Sequence, residues 1–154
     1  MAKSRWLNHE EQRTWRSFLE AGRLLSERLE AQLQRDAGMP ASYYQVLAQL
    51  SEAPSRALRM SELAEATSSS LSRLSHAVDR MEDAGWLERR SCPTDGRGQV
   101  AVLTSAGLAK LEASAPGHVA AVRASLFDPL SPGQVRELGH ICDRVVDGLR
   151  TRTR

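Results

Sequence analysis

The sequence is poor in cysteine and has no long apolar run. Two cysteines, Cys92 and Cys142, are too few for a disulfide framework and lack the spacing of a metal site. No stretch approaches the roughly 20 apolar residues that a membrane span needs, and the first 15 residues contain no signal-like apolar segment. We therefore expect a cytoplasmic protein with no membrane partner, no metal and no cofactor.

Lysine is also scarce, although the charge is nearly balanced. Two of the 21 basic residues are lysine, and 19 acidic residues leave a net charge of +2. Between residues 55 and 100, seven arginines face seven acidic residues. Gross charge therefore does not indicate a nucleic-acid partner, and a DNA interface would require the arginines to gather on one face.

Apolar residues spaced by three and four predict that most of the chain is helical. Gly38 and Pro40 should end a long first helix, and Ser61 is the expected N-cap of a short third one. Pro116 predicts a kink, and Ser131 begins a capping box. The predicted helices cover residues 9–36, 41–52, two segments within 61–84, 105–127 and a last segment from 131.

Residues 61–84 have the layout of a helix-turn-helix, with the tight connection "EATSSS" between two helices. Hydroxyl side chains at the start of the second helix, followed by arginine, suit a helix whose first turns enter the major groove of DNA. Its predicted apolar face is Leu71, Leu74, Val78 and Met81. Its predicted outward face is Ser70, Ser72, Arg73, His76 and Arg80.

The segment "SCPTDGRGQVAVLTSAG" at 91–107 interrupts the helical pattern. Short strands at 86–90 and 99–103, the second with Val100 and Val102 on one face, predict a β-hairpin around a polar loop. A hairpin directly after a helix-turn-helix makes a winged helix. Arg97 at its tip is expected to enter a minor groove, and Asp95 is expected to hold an arginine in place.

The wing segment, Asp95-x-Arg97 followed by "VLTSAG" at 102–107, is similar to the wing signature of the MarR family of bacterial transcription regulators. The preceding "LSRLSHAVDRMEDAGWLERR" resembles the recognition helix and first wing strand of that family. The resemblance implies a dimer of winged-helix domains, held by the first and the last two helices, that binds near-palindromic operators and is often released by small ligands or oxidants. The residues that it places on DNA are Ser69, Ser70, Ser72, Arg73, His76, Asp95 and Arg97.

The resemblance leads us to expect one MarR-like chain over residues 1–154. Residues 41–104 would form the winged helix-turn-helix, and residues 9–36 and 105–150 the dimerisation helices. The expected function is a homodimeric, sequence-specific DNA-binding regulator, a repressor relieved by a small ligand. The alternative is a winged-helix module that binds another protein instead of DNA.

Three other features have simpler explanations. Trp15 is a weak candidate for ligand binding, since packing in the dimer core explains it as well. Ser72 and His76 stand four residues apart on a helix, but no third group completes a catalytic triad, so we do not expect an enzyme. Cys92 is either an ordinary thiol or a redox sensor; the peroxide sensors of the family carry a cysteine near the start of the chain, and none precedes Cys92 here.

Overall fold

The computed structural model describes residues 6–92 and 98–151, which form six helices and three short strands. The predicted fold class, mainly helical with a small β wing, is confirmed. The chain divides into two compact units, a winged unit at Leu29–His118 and a helical unit made of Met1–Arg28 and Val119–Arg154. The elements are α1 (His9–Ala37), α2 (Ala41–Glu52), β1 (Ala57–Arg59), α3 (Met60–Ala66), α4 (Leu71–Asp83), β2 (Leu87–Ser91), β3 (Gln99–Leu103), α5 (Ser105–Val122) and α6 (Pro132–Thr151).

The wing is a three-stranded antiparallel sheet in the order β1-β3-β2. The hairpin of β2 and β3 is confirmed, with Leu87 opposite Leu103. The sequence did not predict β1, because its three residues are too few for an alternating pattern. Ala101 and Leu103 carry the buried face of β3, so Val100 and Val102 lie on its less buried side.

The core of the winged unit is made mainly of aliphatic side chains from five helices and the sheet. Leu33, Leu47, Leu63 and Leu87 are fully buried, and each such side chain contributes about 1.5–3 kcal/mol of transfer free energy. Three of the four residues predicted for the apolar face of α4 are also buried: Leu74, Val78 and Met81.

The fourth of these residues, Leu71, was predicted wrongly, since 55% of its surface is exposed. Leu71 is the first residue of α4. Side chains in a helix tilt toward its N-terminus, so the side chain of the first residue extends past the end of the helix rather than into the core.

Both ends of α4 follow the sequence signals. Ser70 is the N-cap, and its hydroxyl oxygen accepts a hydrogen bond of 3.2 Å from the Arg73 N–H. Gly85 ends the helix with φ at 75°, a conformation that glycine adopts without strain. The N–H of Trp86 then donates to the carbonyl of Met81 at 2.9 Å. This turn directs the chain from α4 into β2.

One predicted helix start is wrong. The N-cap of α3 is Arg59, not Ser61, because β1 runs directly into the helix and Glu62 accepts a hydrogen bond of 3.2 Å from the Arg59 N–H. Pro116 lies inside α5 without breaking it. The irregularity comes later, in a π-helical turn at Arg123–Phe127.

The capping box of α6 is confirmed. Ser131 and Gln134 each donate a backbone N–H to the side chain of the other, at 2.9 and 3.3 Å. No helix in the described part of the chain is both long and apolar enough to cross a bilayer.

Candidate nucleic-acid interface

A tight turn between α3 and α4 positions the tip of α4. Ser68 adopts a positive φ of 50°, and the Ser69 N–H donates to the carbonyl of Ala64 at 2.9 Å. The Thr67 hydroxyl donates to the carbonyl of Leu63 at 2.8 Å. These bonds satisfy carbonyls at the end of α3. The helix α4 begins five residues after the last residue of α3.

The candidate reading residues of α4 lie on its exposed side. Arg73, His76 and Arg80 follow one another by three and four positions, which places them on one face of the helix. The exposed candidates are Ser70, Ser72, Arg73, His76 and Arg80, whereas Ser69 is half-buried in the turn. Since the Ser70 hydroxyl accepts from the Arg73 N–H, Ser70 also fixes the conformation of this tip.

Arg89 of β2 connects the wing to the side of α4, and the sequence did not single it out. Its guanidinium donates to the carboxylates of Asp79 at 2.5 Å and Glu82 at 3.1 Å. It also donates to the carbonyl and to the hydroxyl of Ser75, at 2.9 and 3.2 Å. The side chain is only 16% exposed. An arginine fork with this many acceptors holds the strand and the helix in one arrangement.

These ion pairs change the charge balance of the exposed face. Asp79 and Glu82 are partnered by Arg89, and Glu88 is partnered by Arg90. Arg73 and Arg80 form no ion pair with any other residue that the structure describes. A region with equal numbers of arginines and acidic residues can therefore present basic groups on the outward face of α4.

The tip of the wing lies outside the described residues, so the expected positions of Asp95 and Arg97 are untested. The base of the hairpin is described. Ser91 pairs with Gln99, and the Cys92 N–H donates to the carbonyl of Gly98 at 2.8 Å. Cys92 itself is buried, whereas reactive cysteines are typically partly exposed.

A second polar cluster lies inside the winged unit. The His118 ring stands 4.3 Å from the Tyr44 ring, centroid to centroid, and its Nδ1 lies 3.2 Å from Oε1 of Gln32. The Gln32 amide donates in turn to Asp36 at 3.1 Å. Burial lowers the pKa of His118 and raises the pKa of Tyr44. A hydrogen bond from Arg35, and a weaker contribution from the hydrogen bond of Gln32, lower the pKa of Asp36.

The helical unit has an apolar groove of about 880 Å³ between the first half of α1 and α6. Trp15 and Phe18 stack along it with ring centroids 6.2 Å apart. None of the residues of α6 is buried. Cys142 is exposed on this groove, so it is not a core residue of the single chain. Other exposed apolar side chains on the groove are Leu7, Ile141, Val145 and Val146.

Among residues 6–92 and 98–151, no three His, Cys, Asp or Glu side chains are placed to hold a metal ion together.

Comparison with known proteins identifies the family. A family model described as "MarR family" matches residues 37–98. The structure of Sco3205 from Streptomyces coelicolor, a MarR family transcriptional regulator in complex with DNA, is 52% identical, with a TM-score of 0.92 over 97% of this chain and 93% of that chain. The chain belongs to the MarR family.

A second MarR-family relative agrees with this assignment. AbsC from Streptomyces coelicolor is 43% identical, with a TM-score of 0.90 over 96% of this chain and 99% of that chain. MarR from E. coli, complexed with operator DNA, is 24% identical, with a TM-score of 0.78 over 92% and 99%, and shares the fold. No curated protein matches the sequence. Membership of a family of transcriptional regulators confirms that the chain is not an enzyme.

Proposed function

We propose that the chain is a homodimeric regulator that binds near-palindromic double-stranded DNA in the cytoplasm and represses transcription until a small ligand releases it. The observation that carries the proposal is the exposed tip of α4, which offers hydroxyl, guanidinium and imidazole groups next to one another. The DNA complex of a relative that is 52% identical supports the same use of the fold.

In this proposal the first turns of α4 enter the major groove. Ser69, Ser70 and Ser72 contact phosphates or base edges, and the first backbone N–H groups of the helix favour a phosphate. Arg73 donates two hydrogen bonds to guanine O6 and N7, which distinguishes guanine from the other bases. His76 and Arg80 continue the contact along the same face.

The wing supplies the second contact. The loop that carries Asp95 and Arg97 leaves the hairpin at Cys92 and returns at Gly98. We assign Arg97 to an adjacent minor groove, where the negative potential attracts a guanidinium, and Asp95 to positioning it. We also assign the winged helix-turn-helix to residues 41–104.

The second copy of the chain would cover the apolar groove of the helical unit. Trp15 and Phe18 are 52% and 64% exposed, and Ile141 and Val145 are 50% and 53% exposed. Apolar area of this kind is worth roughly 25 cal/mol per Å² when it is buried. We assign the groove to the partner rather than to the effector, because the apolar faces of α1 and α6 are contiguous along it and two identical copies can pair such faces about a twofold axis.

A twofold pair of α4 helices would require half-sites about one DNA turn, roughly 34 Å, apart. An effector would release the DNA by binding more tightly to a state in which the two helices do not match that spacing. Residues 9–36 and 105–150 are the assigned dimerisation helices.

Selection of bound duplexes from a random pool tests the DNA-binding proposal. We expect a palindrome with half-sites one turn apart. Affinity for the selected duplex should fall steeply with salt, since each phosphate contact contributes about −0.9 to the slope of log K against log salt concentration. Failure to enrich any sequence, with no salt-dependent shift of a duplex, would favour a module that binds another protein.

A further inference from the structure

Leu71 is the only large apolar side chain that is exposed among the described residues of the winged unit, with 55% of its surface accessible. The other exposed large apolar side chains lie in the helical unit, where the proposed partner covers much of the apolar surface. A single exposed leucine is common on protein surfaces. Exposure alone therefore does not assign a role to Leu71, and the argument for a role rests on its position in the fold.

Leu71 is the first residue of α4, within the tip of the helix that we propose to contact DNA. Leu71 stands between Ser70 and Ser72, which are both exposed, and Arg73 follows. The hydrogen bond from the Arg73 N–H to the Ser70 hydroxyl encloses Leu71 and holds its backbone in a defined conformation. Since helical side chains tilt toward the N-terminus, the Leu71 side chain projects past the helix end, toward whatever the tip meets.

The Leu71 side chain contributes little to the core of the winged unit. Leu74 and Val78 fill the core side of α4. Ser75, one turn after Leu71 on the same side of the helix, is occupied by the Arg89 guanidinium. Leu71 lies one turn beyond that contact and stays more than half exposed. Shortening it should cost the fold little.

We propose that Leu71 is a specificity-determining residue that contacts the C5-methyl group of a thymine in the major groove. The inference depends on the proposed DNA binding. Thymine is the only standard base that presents a methyl group in the major groove. Leucine neither donates nor accepts a hydrogen bond, so it favours this apolar group over the amino donor that cytosine presents nearby. Ser72 and Arg73 supply the polar contacts beside it.

Replacing thymine by deoxyuridine tests this contact, because it removes the methyl group and leaves the hydrogen-bonding edge unchanged. The probe is the tightest duplex from the random pool, resynthesised with single dT→dU changes. For the wild-type chain, we expect one position in each half-site at which a single change weakens binding about fourfold, the equivalent of one buried methyl-sized group. The other positions should respond little.

The variant Leu71→Ala then closes a double-mutant cycle. It should bind the unmodified duplex more weakly and no longer distinguish dT from dU at the sensitive position, while its thermal midpoint stays near that of the wild type. Leu71→Met keeps the apolar reach and should keep the distinction.

The inference is overturned if no dU position affects the wild type, or if Leu71→Ala retains the full dU effect. A wild-type chain that selects no duplex would instead refute the proposed DNA binding, and the inference with it.

Discussion

The Arg89 guanidinium donates a hydrogen bond of 2.9 Å to the backbone carbonyl of Ser75, which ties the first strand of the hairpin to the middle of α4. A carbonyl in a helix normally accepts from the N–H four residues later. The arginine adds a second donor from outside the helix and reaches two carboxylates at the same time. The Arg89 side chain therefore adds to the backbone hydrogen bond from the Arg89 N–H to Glu82, at 2.7 Å, in holding the candidate recognition helix against the first strand of the hairpin.

Arg89→Ala should destabilise the winged unit. The change removes the four hydrogen bonds of the guanidinium, to Asp79, Glu82 and Ser75, while Glu82 keeps the backbone N–H of residue 89 as a donor. Hydrogen bonds to charged groups are worth about 1.5–3 kcal/mol. We expect a loss of that order in the free energy of unfolding, measured by urea denaturation. The neighbouring Arg90 pairs with Glu88 on the exposed side of the same strand. Arg90→Ala should therefore change stability by no more than about 0.5 kcal/mol, and equal losses in the two variants would contradict the special role of Arg89.

Gly107→Ala should also be destabilising. A Cβ atom at this position would lie 2.1 Å from the carbonyl oxygen of Trp86, which is backbone and cannot rotate away. Overpacking of this kind costs about 1–3 kcal/mol or more. On the same helix, a Cβ at Gly117 would meet only the Gln32 amide nitrogen, at 3.5 Å. Gly117→Ala should keep or raise the thermal midpoint, because alanine favours the helix by about 1 kcal/mol. A Gly107→Ala variant as stable as the wild type would show that the start of α5 can move.

Phe18→Glu should weaken the proposed dimer. The change places a carboxylate in the apolar groove beside Trp15, and the loss of a central aromatic contact typically costs about 2 kcal/mol or more in association. Sedimentation equilibrium would measure this shift toward monomer. Arg16, which is exposed but does not line the groove, provides the matched control. If Arg16→Glu dissociates the dimer and Phe18→Glu does not, the interface lies elsewhere.

His118 should make stability depend on pH. Burial lowers the pKa of His118 in the folded chain below its ordinary value of 6.5, so the unfolded chain takes up a proton first as the pH falls. The stability present above pH 6.5 is lost as the pH falls through the folded pKa, and below that pKa no more is lost. The thermal midpoint of the wild type should therefore fall relative to that of His118→Gln between pH 7 and pH 5. The other histidines titrate in both proteins, and a constant difference between the midpoints would contradict the assignment.

Arg97→Ala should weaken binding to the selected duplex by about 1–3 kcal/mol and leave the dimer intact. The reason is the loss of the proposed minor-groove contact. Fluorescence anisotropy would measure the affinity, and sedimentation would check the dimer. Unchanged affinity would remove the wing arginine from the mechanism.

Local signals in the sequence predicted most of the helix boundaries. Residues 41–52 were predicted as a helix with the observed ends of α2, and Ser131 begins the capping box of α6 in the predicted way. Such signals act within one or two turns of chain, through caps, a positive φ or apolar spacing, and can be read without knowing the rest of the fold. The strand β1 was missed because three residues are too few to show an alternating apolar pattern. Its pairing with β3 joins residues that are far apart in the sequence.

The linear pattern of residues was therefore sufficient to predict the order of the elements, the winged-helix layout and the residue types available on α4. Which of those residues are buried, exposed or paired follows from long-range contacts. In the folded chain, Leu71 is exposed although the apolar period predicted it in the core. Arg89 pairs with Asp79 and Glu82 and donates to Ser75. The exposure of Leu71 depends on where α4 begins, and the ion pairs of Arg89 depend on which helix lies beside its strand, whereas helix periodicity reports only the direction in which each side chain points.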